Sequence, residues 1–156
     1  MPERYISRTS EETENLGISL AKQLLPGDIL LLFGDLAAGK TTLTRGIAKG
    51  LGVIDDVSSP TFTIMQQYAA GPGGLALNHF DAYRLRDADD WYAEGFDELM
   101  YTDAVSVIEW PENVLPALPH NAFEIRLTFI EQGKARQIDL HYPAGRETAV
   151  SGKETD

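Results

Sequence analysis

Ile29-Leu30-Leu31-Leu32-Phe33-Gly34-Asp35-Leu36-Ala37-Ala38-Gly39-Lys40-Thr41-Thr42-Leu43 is the stretch on which the fold turns. Its first five residues form a continuous apolar run of strand length, as expected of a strand buried on both faces in a helix-covered parallel sheet. Gly34 to Thr41 then match G-x-x-x-x-G-K-[ST], and Leu43, Ile47 and Leu51 follow at helical spacing, with Gly50 or Gly52 closing the helix. A strand that delivers the chain to a helix N-terminus leaves backbone N–H groups and the positive end of the helix dipole free for anionic phosphate. Glycines let the backbone approach closely, Lys40 neutralises β/γ oxygens, and Thr41 offers a hydroxyl to Mg²⁺. Gly34, Ala37, Ala38, Gly39, Lys40, Thr41 and Thr42 are the expected nucleotide cradle. The bland alternative is a glycine turn between strand and helix, which does not require the lysine or the threonine.

On the N-terminal side, Glu3 to Arg8 can form an edge strand. Thr9 sits three residues before Glu12, the spacing of a capping box, and Leu16, Leu20 and Leu24 continue at helical spacing until Pro26-Gly27-Asp28. On the C-terminal side, Val53 to Ser59 reads as a loop, Thr61 to Tyr68 and Leu75 to Asp81 as strands, and Trp91 to Met100 as helix. Val105 to Ile108 reads as a buried strand by its β-branched content. Phe123, Ile125, Leu127 and Phe129 alternate, Gln132-Gly133-Lys134 turns, and Arg136 to His141 returns, which makes a hairpin. The expected fold is α/β and P-loop NTPase-like, a mixed sheet with a parallel core, antiparallel additions and helices on both faces. Residues 1–144 are expected to form a single domain and 145–156 a flexible tail.

Composition narrows the function. The 156 residues are 43% hydrophobic and 24% charged, the balance of an ordinary globular domain. No apolar run approaches the length of a membrane span, and no secretory signal is visible, so a cytoplasmic location is expected. There is no cysteine, which excludes disulfides, thiolate metal sites and cysteine nucleophiles. Thirteen Lys+Arg against 24 Asp+Glu give a net charge of −11, the wrong sign for direct grip on nucleic acid. From Leu85 to Asp103, seven acids face one cation, Arg86. That stretch is either a solvated face or a docking surface for a basic partner.

A P-loop needs a carboxylate near Mg²⁺ at the end of a neighbouring strand. Glu109 closes Val105 to Ile108, and Asp81 closes Asn78-His79-Phe80. Spacing does not choose between them, and both can serve, one on the metal and one on a metal-bound water. Ser58-Ser59-Pro60-Thr61-Phe62-Thr63 occupies the place where P-loop proteins keep a segment whose threonine senses the γ-phosphate. A Ser-Pro turn entering a strand is the other reading of it. Trp110 follows Glu109 and is expected near the nucleotide, against a core role. His79 is either a proton carrier or a strand histidine tied into a hydrogen bond, and the three histidines have no metal-ligand spacing.

Taken together, G-D-L-x-A-G-K-T-T-L, S-P-T-F-T, H-F-D-A-Y-R-L and I-E-W-P-E, in this order, resemble the TsaE family of bacterial tRNA threonylcarbamoyladenosine biosynthesis ATPases. The resemblance runs over roughly residues 9 to 140, with His79-Phe80-Asp81 and Glu109-Trp110-Pro111-Glu112 its most specific parts. It implies a small cytoplasmic Mg²⁺-ATPase that binds ATP/ADP and works with TsaD- and TsaB-type proteins of a threonylcarbamoyl-transfer complex. The base it implies is the adenosine beside the anticodon of tRNAs reading codons that begin with A; with a net charge of −11, tRNA is expected to be touched only indirectly, and no DNA or membrane partner is expected. Residue by residue, it implies Lys40, Thr41 and Thr42 in the phosphate loop and Thr41 on Mg²⁺. Thr61 is then the switch-like threonine, Asp81 the Walker B-like aspartate and Glu109 the metal-associated acid. Ser10 and Glu11 fall in the N-terminal segment near the base. The family usually has glycine where this chain has Ala37, which costs about 1 kcal/mol if the backbone there needs positive φ. The rival readings are a small-molecule P-loop kinase, disfavoured by scattered arginines, and a nucleotide-gated adaptor that hardly hydrolyses.

Overall fold

The computed structural model describes residues 2–35, 37–58 and 64–146. Its strands are β1 (Glu3–Ser7), β2 (Ile29–Phe33), β3 (Met65–Tyr68), β4 (Leu77–Asp81), β5 (Val105–Glu109), β6 (Phe123–Ile130) and β7 (Ala135–His141). Its helices are α1 (Ser10–Ala21), α2 (Lys40–Leu51), α3 (Ala88–Ala93) and α4 (Phe96–Leu99). The strands form one seven-stranded sheet in the order β1-β7-β6-β2-β5-β4-β3. β2 runs parallel to β5 and β6, and β4 parallel to β5, while β1, β7 and β3 are antiparallel additions. This is the expected P-loop NTPase-like sheet with a parallel core.

Alternation along the strands divides two cores. Leu30 and Leu32 of β2 face α1 and α2 with Val105, Val107, Phe123 and Ile125, whereas Ile29, Leu31 and Phe33 face Phe80, Trp91, Phe96 and Ile108. All five residues of β2 are buried, which is why its sequence shows no alternation. Thr9 caps α1, its hydroxyl accepting from the Glu12 amide at 3.0 Å. The Glu12 carboxylate closes the box one residue early, accepting from the Arg8 amide at 2.6 Å. α1 stops at Ala21, before Leu24, although Leu24 stays buried through the turn that follows.

The expected helix over 91–100 is two short ones, broken at Gly95 with φ 75°. The break lets Trp91 and Phe96 turn inward together. Their rings lie 5.1 Å apart and each sits within 5.1 Å of Phe80. Phe129 departs from the inward alternation of its strand and is 39% exposed, with the Arg136 guanidinium 5.3 Å from its ring centroid. Arg146, at the start of the expected tail, is held by Asp28 at 2.8 and 2.9 Å; residues 147–156 lie outside those described. Among the described residues no helix is long and apolar enough to cross a membrane.

Candidate functional site

The glycine loop leaves β2 at its carboxyl end and enters α2 without any side-chain cap. Gly39, the residue before the helix, has φ 103°, and the first helical bond is Leu43 N–H to Gly39 C=O at 2.9 Å. The amides of Lys40, Thr41 and Thr42 precede that bond, and no acidic side chain occupies the first turn. By contrast, α1 and α3 are capped by Thr9 and Asp87. The start of α2 thus keeps its donors and its positive end open.

In front of it lies a cavity of about 250 Å³. Lys40, Thr41 and Thr42 line it from the helix, Asp81 and Glu109 from the ends of β4 and β5, with Trp110 beside them. Ala37, Gly39 and Arg136 complete the wall. Asp81 and Glu109 meet because β4 and β5 pair in parallel with these two residues opposite each other. Both strands end there, so their last side chains face the loop rather than the core. This position, outside the carboxyl ends of parallel strands, is where open α/β sheets accept ligands.

Lys40 is 5% exposed, and its ammonium donates to the Gly34 carbonyl at 2.7 Å while lying 3.7 Å from the Trp110 ring centroid. Burial lowers its pKa, against the upward pull of Glu109 and Asp81. Burial also pushes the Asp81 carboxyl up, with Glu109 adding to the effect and the Tyr83 amide, 3.0 Å from Oδ1, opposing it. Trp110 reaches Lys40 because its backbone is left-handed, φ 57° and ψ 47°, just before Pro111. Its ring also packs against exposed Tyr83, at 5.0 Å between centroids. His79 is fully buried and its Nε2 lies 2.5 Å from Glu109 Oε2. It is therefore a hydrogen-bonded strand histidine.

An oxygen donor set of this kind fits Mg²⁺. The hydroxyl of Thr41 and one or two carboxylates suit a hard cation that completes its shell with water and phosphate oxygens. Among the described residues there is no cluster of three or more His, Cys, Asp or Glu that could hold a metal ion by itself.

The other expected residues divide. Ala38 is buried under the loop and Gly34 contributes its carbonyl to Lys40. Ser10 and Glu11 are exposed in the first turn of α1 and do not line the cavity. Thr61 lies outside the described residues. The chain on either side of it is nonetheless tied to the site's framework: Ser58 N–H donates to the Tyr68 hydroxyl at 3.4 Å, and Ile64 C=O accepts from Asp81 N–H at 2.7 Å. Arg136 was not foreseen. From β7 its side chain crosses Gly39, where a Cβ would lie 3.1 Å from Arg136 Cδ and Nε, and Nη2 comes to 3.5 Å from the Ala37 carbonyl. Its buried Nε has no hydrogen-bond partner among the described residues. The only sequence signal for it was an arginine on the inward face of a strand.

Ala37 has φ 64°, so the loop does require the conformation in which alanine is strained. Ala37→Gly is expected to raise stability by about 0.5–1 kcal/mol, the relieved strain less the extra freedom glycine gives the unfolded chain. Urea unfolding measures it, and a less stable variant would contradict the strain.

Comparison with known proteins places the chain in a family. The family described as threonylcarbamoyl adenosine biosynthesis protein TsaE matches residues 7–138. A protein of Treponema pallidum named tRNA threonylcarbamoyladenosine biosynthesis protein TsaE is 38% identical over 137 residues, covering 88% of this chain and 98% of that one. The protein of the same name from Bacillus subtilis is 42% identical over 115 residues, 74% of this chain and 70% of that one. The crystal structure of Bacillus subtilis YdiB superposes with a TM-score of 0.76 at 31% identity, covering 94% of this chain and 88% of that one.

Proposed function

The chain belongs to the TsaE family of tRNA threonylcarbamoyladenosine biosynthesis proteins, and from that premise we propose that it is a Mg²⁺-dependent ATPase. Its turnover drives or resets a threonylcarbamoyl-transfer complex of TsaD- and TsaB-type partners in the cytoplasm. The observation that carries the ATPase reading is the uncapped start of α2, opening with Lys40 on a cavity that holds two strand-end carboxylates. Net charge of −11 supports contact with tRNA only through the partners. Exposed Asp87, Asp89, Glu94, Glu98 and Asp103 around α3 and α4 form the docking face for a basic partner surface.

In this mechanism the amides at the start of α2 and Lys40 hold the β- and γ-phosphates, and Arg136 adds a second cation on the other side of Gly39. Thr41 and Glu109 would hold Mg²⁺, which supplies charge neutralisation on the phosphate oxygens. Lys40 leaves Gly34 and Trp110 to reach phosphate, so ATP binding is expected to change Trp110 emission; Trp91 is buried among Phe80 and Phe96 and serves as a constant background. Asp81, with one oxygen tied to Tyr83 N–H and its carboxyl made more basic by burial, orients the attacking water. Thr61 closes on the γ-phosphate.

Asp81→Asn tests these roles. It is expected to reduce the rate of ATP turnover by about 10²-fold or more while ATP affinity, read from Trp110 emission, changes by less than about threefold. Equal losses in both would make Asp81 a metal-holding or structural residue. An emission spectrum indifferent to ATP, together with no binding by calorimetry, would sink the nucleotide reading itself.

A further inference from the structure

We propose that His79 is a positioning residue for Glu109, its Nε2–H holding one carboxylate oxygen so that only the other is presented to the cation of a bound nucleotide. This rests on the Mg²⁺-nucleotide reading of the cavity. His79 and Asp81 share a face of β4, and Asp81 stands opposite Glu109 on β5, so the histidine lies one step behind the acid pair, on the core side. There it is shut off from solvent. The side chain of His79 is 0% exposed and that of Glu109 is 5% exposed.

A carboxylate in so dry a place needs hydrogen bonds. Lys40 gives its bond to the Gly34 carbonyl, so among the described residues His79 Nε2, at 2.5 Å, is the side chain bonded to the Glu109 carboxylate. The far nitrogen, Nδ1, is buried with no hydrogen-bond partner among the described residues. Here the ring's one hydrogen bond goes to an acid of the cavity, at the cost of an orphaned atom behind it.

The consequence is geometric. Asp81 has Oδ1 engaged by Tyr83 N–H, and Glu109 has Oε2 engaged by His79. Each acid thus has one oxygen already accepting a hydrogen bond, and the other is the better placed for a cation. Mg²⁺ takes short, near-octahedral bonds to single carboxylate oxygens, and an acid free to rotate or chelate through both oxygens suits it less well.

The test follows ADP binding by calorimetry across a range of Mg²⁺ concentrations, for wild type, His79→Phe and His79→Gln. The glutamine amide places an N–H near the Nε2 position, whereas phenylalanine keeps the ring and loses the donor. His79→Phe is expected to raise the Mg²⁺ concentration for half-maximal enhancement of ADP binding by about tenfold or more. Its Mg²⁺-free ADP affinity stays within about twofold, and His79→Gln recovers most of the shift. In a Glu109→Gln background, His79→Phe adds no further shift. Should the Phe variant fail to fold, His79→Asn takes its place, since its amide is too short to reach Glu109 and is expected to show the same shift. An unchanged Mg²⁺ midpoint, equal losses with and without Mg²⁺, or an effect that adds to Glu109→Gln would overturn the role of His79. Wild-type ADP binding indifferent to Mg²⁺ would instead overturn the cation reading on which it rests.

Discussion

Lys40→Ala is expected to lower ATP turnover by about 10²–10³-fold, the scale of losing one charged group that stabilises the transferring phosphoryl. The lysine has no other task of comparable weight. It is 5% exposed, it opens the helix that follows the glycine loop, and its ammonium is held by a carbonyl and an indole face, with no direct salt bridge among the described residues. Those two contacts are exchangeable for phosphate oxygens. Burial lowers its pKa, and the neighbouring Glu109 and Asp81 carboxylates pull it back up. In Lys40→Ala, Trp110 also loses its cation, so its emission without nucleotide should already differ from that of wild type. Phosphate-release kinetics read the loss, and turnover within about threefold of wild type would remove Lys40 from the mechanism.

Gly46→Ala is the substitution expected to cost most stability. On an exposed helix face the change would stabilise, because alanine is the better helix former by about 1 kcal/mol. In α2 the opposite term wins. A Cβ on Gly46 would lie 2.0 Å from the backbone carbonyl oxygen of Glu14 in α1, and one on Gly17 would lie 2.5 Å from Leu43 O. The two helices touch backbone to backbone, so neither side chain nor rotamer can give way. The helices must separate, opening the core formed by Leu20, Leu43 and Ile47. The expected loss is about 3 kcal/mol, or roughly 10 °C in Tm for a chain of this size. Because α2 carries Lys40 and Thr41 at its first turn, ATP affinity should weaken with it. Calorimetric unfolding decides the sign, and an unchanged or higher Tm would show that the helices are not packed this closely.

Features carried by local chemistry were legible in the sequence. The buried strand, the glycine loop and the helix after it follow from hydrophobic run, motif and spacing, and Thr9 with Glu12 announced the start of α1. Both strand-end acids could be named, but their relation could not. Only the parallel register of β4 and β5 sets Asp81 opposite Glu109, and only burial shows that His79 takes one of the oxygens. Arg136 stayed hidden because a residue on β7 reaches Ala37 across 99 positions of chain. The helical reading of 91–100 overlooked Gly95, whose positive φ divides the segment so that two aromatic rings can meet Phe80. Ala37 was recognised as a departure, but whether it is strained depended on a backbone angle that residue type alone does not supply.

The most direct test is phosphate release from ATP and Mg²⁺ by the purified chain, alone and with the TsaD- and TsaB-type transfer complex added. A slow basal rate that rises on adding the complex, and that Lys40→Ala lowers by about 10²-fold or more in both conditions, is the predicted result. A rate that the complex leaves unchanged would contradict partner-coupled turnover, leaving the chain as a nucleotide-gated adaptor or as a kinase awaiting its acceptor.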